Sequence, residues 1–276
     1  MATDLLTAAI DAGTPLVVLS PHLDDAVLSC GALMSHARRR TRVRVATFFT
    51  EAAPPPYTLS GRQYLRHVGQ PDVERLYRDR RAEDREVLER LGVEWLHLGL
   101  VDGLFRRKPL RSGGRPGQLS RVLPETAHVY PTYRLHLAAG RISRHDAGTL
   151  GQVWALLEEL ASPPGTVLLA PSGVGGHVDH VLVRTAAELS GEPVIYYSDF
   201  PYNQRHRPDP DFVERNALVE VEWSGELATK AALTRGYRSQ VDALFPGGRM
   251  PEVPETYLLA DGERASGGRI GSSSWP

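Results

Sequence analysis

Apolar residues return along the chain in two rhythms. Short runs of strand length, "PLVVLS" (15–20), "RVRVATFFT" (42–50), "VEWLHLGL" (93–100), "TVLLAPS" (166–172) and "PVIYYSD" (193–199), are separated by stretches whose apolar positions recur every three or four residues. Those helical stretches are Val27 to Arg40, Val73 to Leu91, Leu150 to Leu160 and Val181 to Leu189. Strand and helix in repeated alternation predict an α/β fold: a Rossmann-like, mostly parallel sheet covered by helices on both faces through right-handed crossovers. In such sheets the ligand lies beyond the carboxyl ends of the strands.

Two segments break the alternation. Residues 51–71 and 101–146 are rich in Pro, Gly and Arg and too long for ordinary connections. Both leave the carboxyl edge, so they are expected to be substrate-binding loops, with plain disorder as the other reading. The stretch from about 263 to 276, "RASGGRIGSSSWP" with its neighbours, predicts a flexible tail. No repeat and no linker divides residues 1–276, which are read as one domain.

Composition narrows the function. A chain of 276 residues with 41% apolar content can bury a large core, and 32 Lys and Arg against 33 Asp and Glu leave a formal net charge of -1. That balance gives no field for nucleic acid or an anionic membrane. Cys30 is the single cysteine, which excludes an internal disulfide and a cysteine-rich zinc site. Any metal must therefore be held by His and carboxylates. The start "MATDLLTAAIDAG" lacks a signal-peptide pattern and no window approaches a membrane span, so a cytoplasmic location is expected.

The candidate chemistry sits where strands hand over to helices. "SPHLDD" follows the first strand, where a dinucleotide-binding fold would carry glycines. His22 and Asp25 are three residues apart, close enough to hold one ion, with Asp24 beside them. The same residues also suit a helix N-cap next to a surface histidine. After the fourth strand, "GVGGHVDH" delivers His177, Asp179 and His180 to the same edge of the sheet. Its glycines could cradle a phosphate at a helix N-terminus, but neither that nor a capped helix accounts for the matching cluster after the first strand.

These two motifs resemble those of the PIG-L/LmbE-like N-deacetylases, metal-dependent enzymes of Rossmann-like fold. "PHLDDA" is similar to the family's PHPDDE and "GGHVDH" to its HPDH, while "RRAEDREVLERLGVEWLHLGLVDG" and "KAALTRGYRSQV" resemble its Arg-rich helix and its late Lys and Ser-Gln helix. The resemblance implies that His22, Asp25 and His180 ligate one Zn²⁺ per chain, with Fe²⁺ or another divalent ion as the alternative occupant. It makes Asp24 the general base and His177, in its protonated form, the donor to the oxyanion or to the leaving amine. Two imidazoles and a carboxylate with open positions suit catalytic zinc, which brings the pKa of a bound water from about 15.7 towards roughly 7. Asp179 is expected to orient an imidazole. Arg80, Asp102 and Asp199 are expected to contact the sugar, with a surface ion pair as the other reading of Arg80 and a turn cap as that of Asp199.

Leu23 and Ala26 depart from the family's Pro and Glu, and Gly175 stands where some relatives carry a Tyr. Tyr196, Tyr197 and Tyr202 follow the fifth strand as possible replacements, the first two equally explained by packing. The expected activity is removal of an N-acyl, most simply N-acetyl, group from a glucosamine-type sugar, carried on a larger glycoside or natural product; the partner is thus a small-molecule N-acylated amino sugar or glycoside. Two alternatives use the same residues: a non-haem Fe(II) oxygenase with a two-His, one-carboxylate site, and a non-catalytic module whose "GVGG" binds phosphate.

Overall fold

The computed structural model describes residues 2–109, 122–161, 165–247 and 250–261. Helix α1 (Ala2–Asp11) precedes β1 (Leu16–Ser20), whose five residues are all buried. Leu16 and Val18 enter one core, while Val17 and Leu19 enter the other, because successive side chains of a strand point to opposite faces. A continuous apolar run thus marks a strand covered on both sides.

From β1 the chain passes through α2 (Asp25–Ala37) to β2 (Val43–Glu51), then through α3 (Leu59–His67) and α4 (Val73–Leu91) to β3 (Glu94–Val101). After the second insertion come α5 (Ala147–Ala161), β4 (Val167–Pro171), α6 (Val178–Leu189) and β5 (Val194–Tyr197). The strand order is β3-β2-β1-β4-β5-β7-β6, parallel from β3 to β5. The expected α/β sheet is therefore present, and its order reverses between β1 and β4. Right-handed crossovers moving outward in opposite directions put α2 and α6 on opposite faces, α2 with the core of Leu16 and α6 with that of Val17. The two sequence motifs follow the two strands that flank this switch point, where open α/β sheets bind ligands.

The remaining elements are α7 (Pro210–Arg215), β6 (Leu218–Trp223), α8 (Leu227–Thr234), α9 (Arg238–Leu244) and β7 (Glu255–Ala260), with β7 antiparallel to both β5 and β6. The strand pattern read from the sequence omitted β6 and β7, since neither belongs to the strand–helix alternation; β6 alternates buried and exposed positions as an edge strand does. Glu255 of β7 is buried, accepts the Ala32 and Leu33 amides of α2 at 2.9 Å each, and faces Lys230 Nζ of α8 at 3.4 Å.

The first insertion, expected to be loop, contains α3, begun by the Thr58 side chain accepting the Gly61 amide at 3.1 Å. In the second insertion, Arg107 bridges to His128 and short helical turns occupy Pro124–Thr126, Tyr133–Leu137 and Arg144–Asp146. The predicted tail lies outside the described residues, among which no helix is long and apolar enough to cross a membrane.

Candidate active site

The turn after β1 is built so that its carboxylates stay free of capping work. Ser20 Oγ accepts the Ala26 amide at 3.0 Å and donates to the His22 carbonyl at 2.7 Å. Asp24 therefore stands at the N-cap position of α2 with no side-chain cap bond. The helix-cap reading of Asp24 fails for that reason, and its carboxylate lines the adjacent cleft. Asp25 Oδ2 accepts the His22 amide at 2.8 Å and lies 3.2 Å from His22 Nδ1.

The second motif meets this one across the switch point. His180 Nε2 is 3.3 Å from the same Asp25 oxygen, so His22, Asp25 and His180 converge. The other nitrogen of each histidine is backed by a carboxylate: Asp199 Oδ1 lies 2.6 Å from His180 Nδ1, and Asp179 Oδ2 lies 3.1 Å from His22 Nε2. His177 caps α6 through Nδ1, which accepts the Asp179 amide at 3.3 Å and leaves the Nε2–H of the neutral ring to donate. His177 and His22 rings meet edge to face with centroids 4.9 Å apart.

Electrostatics separates these groups. Burial alone would raise the Asp25 carboxyl, but His180 and His22 hold it well below the usual range. Burial, then the charge on Asp25, pushes Asp24 up to about 7. The two neighbouring aspartates are thus held in different states near neutral pH, as paired acid–base groups require. Burial acts to lower His22 and His180, yet Asp179 and Asp25 raise the first while Asp25 and Asp199 raise the second. The cluster pulls positive charge towards itself. His177 behaves oppositely: burial and the nearby His22 lower it to about 4, so the protonated His177 expected from sequence is corrected to a neutral imidazole.

Among the described residues, two groups of His, Asp or Glu side chains have ligand atoms within 4.8 Å of one another, His22 with His177 and His180, and His22 with Asp102 and Asp179. The second is already engaged. Asp179 accepts from the Gly103 amide and Arg106, and Asp102 from Tyr77 Oη at 2.6 Å and the Leu104 amide at 2.8 Å. The histidines around Asp25 are the better donor set for a divalent ion.

Beyond them opens a cleft in which polar and aromatic side chains converge. Asp24, Arg80, Asp102 and His177 line it together with Tyr64, Tyr133, Tyr202, Leu137 and Leu244. Arg80 is only 5% exposed, held by Gln240 Oε1 and by Tyr64 Oη at 3.3 Å, so it is no surface ion pair. Asp199 does not face the cleft: its second oxygen accepts from Ser172 Oγ at 3.0 Å and the Val174 amide at 2.8 Å, and the expected sugar contact is corrected to support of His180. Tyr196 packs on Phe212 and Tyr197 donates to the Leu19 carbonyl, whereas Tyr202 reaches the cleft. A Cβ at Gly175 would fall 3.1 Å from Tyr202 Cβ and Cγ, so Tyr202 fills the space a side chain at 175 would need.

Gly103, Arg106, Ser172 and Gln240 were missed as individual contributors. Gly103 and Gln240 lie inside segments that resemble the family's, the strand ending in Asp and the Ser-Gln helix; Arg106 is hidden in an arginine-rich run with no periodic spacing.

Residues 17–189 match the family model of PIG-L, GlcNAc-PI de-N-acetylase. The chain is 30% identical over 237 residues to 2'-N-acetylparomamine deacetylase of Streptomyces fradiae, covering 82% of this chain and 73% of that protein. Its fold is similar to that of teicoplanin deacetylase Orf2 in its zinc-inhibited form, with a TM-score of 0.67 at 23% identity over 89% of this chain and 97% of the other. It is also similar to A40926 pseudoaglycone deacetylase Dbv21, with a TM-score of 0.63 at 22% identity over 90% and 97%.

Proposed function

The chain belongs to the PIG-L, GlcNAc-PI de-N-acetylase, family, and on that premise we propose that it is a zinc-dependent hydrolase removing an N-acyl group, most simply acetyl, from a glucosamine-type sugar. The observation that carries this reading is the meeting of His22 and His180 at one oxygen of Asp25, with Asp24 buried beside them. The donor set fits a divalent cation, because three borderline-to-hard ligand atoms converge and both imidazoles are drawn towards positive charge. When bound there, the ion supplies Lewis-acid polarisation of the amide and a more acidic water.

The chain's own residues divide the remaining work. Asp24, raised to about 7, accepts the proton of the attacking water at a working pH near neutral. The same carboxyl, now protonated, is placed to return that proton to the departing amine. Neutral His177 donates its Nε2–H to the developing oxyanion, a role that its lowered pKa leaves intact. Tyr202, whose phenol burial keeps protonated, stands at the cleft as a second donor. Asp179 and Asp199 fix the two imidazoles. Arg80 and Asp102 offer a donor and an acceptor to sugar hydroxyls.

The named substrate of the Streptomyces fradiae relative carries an N-acetyl group, which supports an amino-sugar glycoside as substrate here. The aromatic rim of Tyr64, Tyr133 and Tyr202 supports an acceptor larger than a free monosaccharide. An oxygenase is set aside by family and fold, since this is a mostly parallel α/β sheet. A phosphate module is set aside because the α6 N-terminus carries the carboxylate of Asp179 in its first turn and faces that of Asp25 through His180, and both would repel a phosphate. Incubation with N-acetylated aminoglycosides should release acetate and expose a free amine, and a chelator should stop it. Chelator-insensitive release would overturn metal dependence; no release from any N-acetylated amino sugar would overturn the activity.

A further inference from the structure

We infer that Arg106 is a positioning residue of this centre and that, with Gly103, it forms a clamp by which the second insertion fixes Asp179 and, through it, His22. The inference rests on the proposed reading of His22 as a metal ligand. Asp179 is fully buried and both of its oxygens are committed. Oδ2 accepts the Gly103 amide at 2.8 Å and faces His22 Nε2 at 3.1 Å, while Oδ1 accepts from Arg106 Nη2 at 2.5 Å.

Arg106 is in turn held from every side. Its Nη1 donates to Asp146, its Nε donates to the Val101 carbonyl at 2.9 Å, and its guanidinium carbon lies 4.6 Å over the Phe49 ring. Asp146 also accepts from Tyr130 Oη at 2.8 Å, and Tyr130 Oη accepts the Ser143 amide at 3.2 Å. A guanidinium offers its donors in a rigid planar fork, so anchoring two of its nitrogens fixes where the third points. Arg106 thereby sets the position and tilt of the Asp179 carboxylate.

Gly103 makes the approach possible. A Cβ there would sit 2.9 Å from Leu137 Cδ1 and 3.0 and 3.2 Å from the two Asp179 oxygens. A side chain there would press on that carboxylate and on Leu137, so glycine lets the backbone amide after Asp102 come within bonding distance without displacing it. A carboxylate behind a ligating imidazole fixes the ring and tunes its basicity. The clamp extends that support one step further, from the insertion to the carboxylate.

The test compares Arg106→Gln, Arg106→Lys and Gly103→Ala with the wild type, each stripped of metal. Zn²⁺ affinity is read by competition with a chromogenic chelator and ligand geometry by the visible spectrum of the Co²⁺ form, with folding followed by circular dichroism and melting. Arg106→Gln should bind Zn²⁺ about 10–100-fold more weakly and alter the Co²⁺ bands. Arg106→Lys, which keeps the charge but not the fork, should fall between it and the wild type. Gly103→Ala should weaken binding with every charge in place, and it decides the matter if Arg106→Gln does not fold. A folded Arg106→Gln or Gly103→Ala with wild-type affinity and Co²⁺ spectrum overturns the clamp, as does failure of all three to fold, which would make these residues needed for the fold itself. Wild-type protein that binds Zn²⁺ with this dependence on Arg106 but releases no acetate sinks the deacetylase activity alone. Acetate release with metal held equally by every folded variant sinks the clamp alone.

Discussion

His22 and His180 approach one oxygen of Asp25 at 3.2 and 3.3 Å, yet they are supported by different parts of the molecule. Behind His180, Asp199 is held by the Ser172 hydroxyl and the Val174 amide, neutral groups that follow β4. Behind His22, Asp179 is held by Gly103 and by Arg106, which the second insertion anchors through Asp146. One imidazole is fixed by the sheet and the other by a loop that also borders the cleft through Tyr133 and Leu137. The difference teaches that the centre has a scaffold side, independent of the insertions, and an insertion side.

The largest effects should ignore this difference. His22→Ala or His180→Ala should each abolish retention of zinc through dialysis, measured by elemental analysis, and acetate release with it; a variant that keeps stoichiometric zinc would remove that histidine from the ligand set. Asp24→Asn comes next, with kcat lower by about 10²–10⁴-fold at unchanged zinc content. Loss of zinc in this variant would make Asp24 a ligand instead.

The comparison itself is sharpened by Asp179→Asn against Asp199→Asn. Each should cost about 10–100-fold in zinc affinity, but the first also strips the buried Arg106 of one of its two carboxylates, a change worth up to about 3–5 kcal/mol. Denaturant unfolding should show Asp179→Asn as the less stable protein, and the reverse order would break the assignment of sides. Ser172→Ala removes one neutral bond from Asp199 and should lower stability by about 0.5–1.5 kcal/mol, with Arg106-dependent properties untouched.

The smallest effect concerns the second insertion alone. Burial, against a bond to the Pro124 carbonyl, lowers the His128 pKa below its ordinary value of 6.5. With the folded pKa below the unfolded one, the unfolded chain binds more protons, so this stability is present above 6.5 and is lost as pH falls below it. Urea midpoints should drop between pH 7.5 and 5.5 by less in His128→Gln than in the wild type, the difference amounting to about 1 kcal/mol or less. An equal drop in both would remove His128 as the cause.

What could be read in the sequence was local. Strand runs, helix periods and the His and Asp placed just after two strands all follow from neighbours along the chain, and they put both motifs at the carboxyl edge of the sheet; that β1 and β4 flank the switch point emerges only from the strand order. What could not be read depends on which distant group arrives. Arg106 and Arg107 are adjacent in one basic run, but the first is buried against Asp179 while the second bonds the Pro54 carbonyl, and no spacing distinguishes them. Asp199 carries the same strand-end signature as Asp102, yet only the fold turns it towards His180 rather than the cleft. The charge state of His177 is not legible locally because it is set by burial and by His22, more than 150 positions earlier in the chain.

Glu255 reaches from β7 to two amides of α2, the helix that opens with Asp25. The family model matches residues 17–189, so this tether, like Asp199, comes from outside the matched stretch. For anyone recombining relatives into chimeras, a crossover at the end of α6 would separate the motif-bearing half from the parts that hold it in shape. Blocks exchanged between family members should therefore keep residues 25–37 and 199–260 from one parent.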